Sequence, residues 1–262
     1  MLLAIDIGNT HITLGLWHEH TWQHHWRLAT IRDKTADEYG ILLTQCLQHT
    51  GLPTAVDQVI LCSVVPVLTH TFTAASRRYL GCAPLEATVE LDLGISVHTD
   101  VPAAVGSDRL VNAVAAHALF PGPTLVVDMG TATKLDVVTS TGALVGGAIA
   151  PGLQLAADAL AGRAARLHQV NLEAPPHVLG RNTVHAMQSG LIFGYVSLVE
   201  GLIRRLQAAH PDQSAPARVI GTGGLIGLIT PHTNLIQHVD PWLTLTGLRL
   251  IHERLAGQGA AA

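Results

Sequence analysis

LLAIDIGNT, residues 2–10, and TLVVDMGT, residues 124–131, decide the fold. Each is a short apolar run with the character of a buried strand, closed by an aspartate, a glycine and a hydroxyl residue. The segments downstream of the two runs are also alike. After the first, residues 12–17 and 21–29 read as two more strands, giving an antiparallel meander. After the second, residues 133–139 and 142–149 do the same.

Helices and strands alternate around these meanders. Residues 35–49 open on Thr35, Ala36, Asp37 and Glu38, a capping-box pattern, and continue with helical spacing through Tyr39, Leu42, Leu43 and Cys46. A strand at 57–64, a helix at 67–80 and a short strand near 84–89 come next. A polar, proline-containing stretch then leads to Gly106, where an alanine-rich helix starts. In the second half, helices are expected at 151–166 and 182–209, and a strand at 217–221 running into Thr222-Gly223-Gly224 and another helix. A strand near 234–239 and a helix over 241–255 come last, with 256–262 as a frayed tail. The repeated grammar predicts a duplicated α/β architecture with halves at 1–115 and 116–262 and a cleft between them.

The paired turns suggest phosphate chemistry. Glycine lets the backbone approach a ligand closely, and amide and hydroxyl groups can then cradle phosphate oxygens. Asp6 and Asp128 would repel a nucleotide alone, but beside it they suit a hard cation such as Mg²⁺. A single Asp-x-Gly is usually just a capped turn; two matched ones, with Gly221 to Gly224 near an adenine or ribose, favour nucleotide binding. No P-loop pattern is present. Asp108 could orient a hydroxyl and take its proton, and Arg109 could hold a carboxylate through its planar fork; a salt bridge between the two at the helix start is the structural alternative.

Composition narrows the rest. Hydrophobic residues are 48% of the 262 and charged residues 13%, which favours a packed core over disorder. The formal charge of −4 gives no basic footprint for nucleic acid. Three cysteines without a C-x-x-C pair fit a reducing cytoplasm. The first apolar run is broken by Asp6, and the later ones read as too short or interrupted to cross a bilayer, so no membrane association is expected. The sixteen histidines are scattered and give no metal-ligand spacing.

Together, DIGNT (6–10), KTADEY (34–39), GSDRLVNAVA (106–115), DMGTAT (128–133), GGAIAPG (146–152), GRNTV (180–184), AMQSG (186–190) and LTLTGL (243–248) resemble the motif series of type III pantothenate kinases, in order and over almost the whole chain. The resemblance implies duplicated ribonuclease-H-like (actin-like ATPase) domains with mixed five-stranded sheets and flanking helices. It implies ATP-dependent phosphorylation of the primary hydroxyl of pantothenate, the first step towards coenzyme A, in a cytoplasmic homodimer. Asp6, Ile7, Gly8, Asn9, Thr10, His11, Ile12, Thr13 and Thr131 would bind ATP, with Mg²⁺ near Asp6. Asp128 would hold a monovalent cation, K⁺ or NH₄⁺. Thr99, Gly106, Ser107, Asp108, Arg109 and Thr183 would contact pantothenate, with Asp108 as the catalytic proton acceptor.

Three positions depart from the family pattern. Lys134 stands where threonine is usual, either adding charge against phosphate or pointing away on the strand's other face. Ser107 replaces alanine, and Thr99 stands where many relatives have tyrosine. The rival expectations are a non-catalytic regulatory relative of the same fold and a kinase for another small hydroxy acid or sugar.

Overall fold

The computed structural model describes residues 1–52, 56–163 and 167–259. Its first strand, β1 (Leu2–Ile7), is buried except at Asp6, which is half-buried. Turning at Gly8–Thr10, the chain runs back as β2 (His11–His18) and again as β3 (Thr21–Ala29), the expected meander. Helix α1 (Ala36–Gln48) starts on the predicted box: the Glu38 amide donates to Thr35 Oγ1 at 3.3 Å and the Thr35 amide to Glu38 Oε2 at 2.8 Å. Such a cap stabilises a helix by about 0.5–2 kcal/mol. Strand β4 (Gln58–Ser63) then lies parallel to β1. Helix α2 (Pro66–Ala75) continues through a π-helical turn at Ser76–Leu80 into the two-residue strand β5 (Leu85–Glu86). The sheet order is β3-β2-β1-β4-β5. Its apolar face packs with Tyr39, Leu43, Leu68 and Phe72 in one core.

A second short strand, β6 (Ser96–Val97), and a 3-10 turn at Pro102–Ala104 lie within the stretch read from sequence as irregular. Helix α3 (Ser107–Leu119) leads into the second meander, β7 (Thr124–Met129), β8 (Ala132–Val138) and β9 (Ala143–Pro151). Helices α4 (Leu153–Arg163) and α5 (Thr183–Ala209), then β10 (Arg218–Thr222) and β11 (His238–Val239), complete it. The end of the expected 151–166 helix, with Arg166, lies outside the described residues. The sheet order is β11-β10-β7-β8-β9-β6. Strands β7 to β11 thus repeat β1 to β5 one for one, antiparallel and parallel neighbours included. The burial patterns of β1 and β7 are the same, with the aspartate in each the one half-buried residue.

Several expectations are corrected. The second sheet has six strands, because β6 adds to the edge at β9. The helix expected after Gly224 is a pair of 3-10 turns, Ile226–Leu228 and Thr230–His232, the second with Pro231, which lacks the amide a longer helix would need. Helix α5 is long and apolar enough to cross a membrane by length and composition, contrary to the sequence expectation. Its Leu191, Ile192, Tyr195, Val199 and Ile203 are buried in the core of the second sheet, which accounts for that apolar content.

The last helix, α6 (Leu243–Gly259), takes in part of the predicted tail. It also alters the division of the chain. One compact unit comprises Met1–Ser96, Asp100–Ala115 and the chain from Thr244 onward; the other comprises Val97–Thr99 and Ala116–Leu243. The expected second half, 116–262, therefore loses α6 to the first unit. The reason is packing. Thr244 Oγ1 donates to Oδ1 of the fully buried Asn112 at 2.8 Å, and the Arg249 guanidinium stacks 4.5 Å from the Trp17 ring. Arg254 forks onto the Asp92 carboxylate at 3.1 and 2.9 Å. At Gly247 a Cβ would stand 2.1 Å from the Val111 carbonyl oxygen, so only glycine allows α6 this close to α3.

Candidate active site

In the first unit, two predicted segments meet at the carboxyl ends of β1 and β4. The β1–β2 turn is closed by the Gly8 amide donating to the His11 carbonyl at 3.0 Å. Thr30 Oγ1 donates to the Gly8 carbonyl at 2.7 Å, and Arg32 Nη2 to Asn9 Oδ1 at 2.8 Å. Asn9, Thr10 and His11 are exposed, as a phosphate cradle needs, while Ile7 and Ile12 are fully buried in the core. Those two isoleucines can therefore offer a ligand only backbone atoms. Asp6 pairs across the ladder with Thr13, and Cys62 Sγ reaches Asp6 Oδ1 at 3.5 Å. Partial desolvation, with the nearby charge of Arg27, lowers the His11 pKa and favours a neutral imidazole beside the turn.

The Gly106–Arg109 segment is tied to the same end of the sheet. Val64 donates its amide to the Ile7 carbonyl at 3.1 Å, which continues β4 past β1. Ser107 Oγ accepts from the Ser63 amide at 3.0 Å and donates to the Ser63 carbonyl at 2.9 Å. These two hydrogen bonds to the end of β4 fix the start of α3, so Gly106, Ser107, Asp108 and Arg109 sit at the end of β4, beside the end of β1 that carries the Asp6 turn. Asp108 and Arg109 are both half-buried in the first turn of α3. The Arg109 amide donates to Asp108 Oδ1 at 2.8 Å, which fixes the carboxyl group against the backbone.

The second unit holds the other predicted residues. Asp128 is the penultimate residue of β7 as Asp6 is of β1, and Gly130 closes its turn by donating to the Ala132 carbonyl at 3.1 Å. Thr131 is exposed at the turn, and its carbonyl accepts from the Gly152 amide at 3.1 Å. Gly223, at φ +92°, passes so near that a Cβ would stand 2.6 Å from Asp128 Oδ1. Asp128 Oδ2 is 2.7 Å from Lys134 Nζ. Lys134 therefore shares Asp128's face and turns onto it, rather than pointing away on the strand's other face. Thr183 is exposed at the start of α5, where Asn182 Oδ1 caps the His185 amide at 2.9 Å. Thr99 is half-buried, and among the described residues its hydroxyl has no hydrogen-bond partner.

Two contributors escaped the sequence reading. Arg32 brings a guanidinium to the first turn, with no signal beyond a basic residue following a strand. Ser63 anchors α3, a role visible only once the β1–β4 pairing is known.

The donor set can be weighed against the implied ions. Asp6 offers hard carboxylate oxygen beside the exposed turn, which fits a Mg²⁺ that keeps waters and phosphate oxygens as its other ligands. Asp128 does not fit a free monovalent cation, because an ammonium group already lies against its carboxylate.

The family model for Type III pantothenate kinase matches residues 2–205. The chain belongs to the type III pantothenate kinase family. A Type III pantothenate kinase from Moorella thermoacetica is 48% identical over 97% of this chain and 99% of its own length. One from Roseiflexus castenholzii is 46% identical, covering 97% and 98%. Among solved structures, MreB 5 of Spiroplasma citri bound to AMPPNP aligns with a TM-score of 0.60 at 9% identity, covering 99% of this chain and 98% of that one. A conserved putative Baf family transcriptional activator from Campylobacter jejuni aligns at 0.59 with 19% identity, covering 97% and 99%. At these identities the structures establish the fold alone: the actin-like α/β architecture expected from the family's motifs.

Proposed function

We propose that this member of the family phosphorylates the primary hydroxyl of pantothenate with ATP, the first step of coenzyme A synthesis. The observation that carries this is the anchoring of Asp108 and Arg109, through Ser107 and Ser63, to the end of β4, beside the end of β1 that bears the Asp6 turn. Phosphoryl transfer asks mainly for positioning and charge neutralisation. The Asp6–Thr13 turn binds ATP phosphates through its amides and hydroxyls. A Mg²⁺ at Asp6 would neutralise phosphate charge.

Arg109 binds pantothenate, its guanidinium taking the carboxylate. Asp108 orients the substrate hydroxyl and accepts its proton as the oxygen bonds to the γ-phosphorus and ADP departs. A cytoplasmic homodimer belongs to the same reading, supported by the exposed apolar Ile149, Leu155, Val178 and Leu179 of the second unit. Light scattering of the purified protein tests the dimer: twice the chain mass is expected.

Asp108→Asn is the decisive variant. It should lower kcat by about 10²–10⁴-fold while ATP still binds, measured by phosphopantothenate formation and by calorimetry. Full activity in that variant would remove Asp108 from the reaction. Failure of the unaltered protein to phosphorylate pantothenate would move the substrate to another small hydroxy acid.

A further inference from the structure

We infer that Lys134 supplies, as a tethered ammonium, the positive charge that the family resemblance assigns to a monovalent cation at Asp128, so that this chain works without K⁺ or NH₄⁺. The inference rests on the kinase reading above and concerns one device within it.

Three observations converge. Asp128 and Lys134 are direct partners in the β7–β8 ladder, so their side chains leave the same face of the sheet. Nζ lies 2.7 Å from Oδ2, and the two side chains are only 15% and 14% exposed, so solvent screens the pair weakly. The other carboxylate oxygen stands against the backbone at Gly223. The carboxylate is thus enclosed by main chain on one side and by an ammonium on the other. A K⁺ bound to the same group would place two cations on one carboxylate in a poorly screened position.

The internal repeat shows what Lys134 has displaced. In the first unit, the residue across the ladder from Asp6 is Thr13, a small hydroxyl. In the second unit the equivalent partner of Asp128 is a lysine. A threonine there would leave both space and an oxygen ligand for a free ion; the lysine fills the space and brings its own charge. NH₄⁺ and a lysine ammonium carry the same charge and offer the same kind of N–H donor, so the exchange preserves the chemistry. The difference is that the bound form no longer depends on ion concentration.

The test compares K⁺, NH₄⁺, Na⁺ and choline as the only monovalent cation. Unaltered protein should form phosphopantothenate at equal rates in all four, and its melting temperature with Mg-ADP should be the same in all four. Lys134→Thr should be at least about tenfold slower in choline than in K⁺, with a melting temperature that K⁺ raises. Turnover by the unaltered protein that appears only on adding K⁺ would overturn the inference, as would a Lys134→Thr protein fully active in choline. If no salt gives phosphopantothenate, the kinase reading fails by itself. The melting temperatures then decide for Lys134: a flat series supports it and a rise with K⁺ on the unaltered protein refutes it.

Discussion

Ser107 illustrates how much one hydroxyl can organise. Its two bonds to the Ser63 backbone join the amino end of α3 to the end of β4. Ser107→Ala should cost about 1–2 kcal/mol, read from urea denaturation, since it leaves a half-buried amide and carbonyl without that partner. At this scale the sequence was legible where chemistry is carried by type and spacing. Asp6, Asp108, Arg109 and Asp128 could all be singled out from motifs. What could not be read was pairing. Lys134 stood out as a departure, but its partner emerges only from the register of two strands, which a sequence does not print. Ile7 and Ile12 show the reverse limit: they belong to the phosphate motif by position, yet their side chains serve the core.

Elements with local signals were read nearly to the residue. β3 is the expected 21–29, and α1 begins at its capping box. Elements defined by a partner were not. β6 and β11 have two residues each and exist because a neighbouring strand accepts them. Helix α6 combines both cases, since its helical spacing was evident but its destination was not. Two glycine substitutions separate propensity from packing in this helix. Gly257→Ala, with open space around the new Cβ, should stabilise by about 0.5–1 kcal/mol. Gly247→Ala, whose Cβ meets backbone at 2.1 Å, should instead destabilise by about 1–3 kcal/mol, as judged by thermal or urea unfolding.

For the molecule as a whole, acid sensitivity should begin with histidine. Burial lowers the His252 pKa on α6, opposed by Glu253, and partial desolvation together with Arg27 lowers that of His11. Both are therefore favoured neutral when folded. Their contribution is complete above the unfolded value near 6.5 and is lost as pH falls below it. The Asp92 carboxyl, held at about 2 mainly by its hydrogen bond to Arg254, keeps its tie to α6 through that range. The melting temperature should thus fall between pH 7.5 and 5.5, and His252→Gln should shrink the fall. The duplication itself was legible from two quoted stretches, whereas the return of α6 to the first unit was not, because it rests on contacts more than a hundred residues apart in the chain. That return reverses the order of construction on the ribosome. Domains usually fold as they emerge, amino-terminal first. Here the whole of Ala116–Leu243 is made before Thr244, so the second unit can fold while the first still waits for its final helix. Until α6 emerges, Asn112 and Trp17 lack the partners it brings, and an unfinished nascent chain is most exposed to chaperones and proteases in its oldest part.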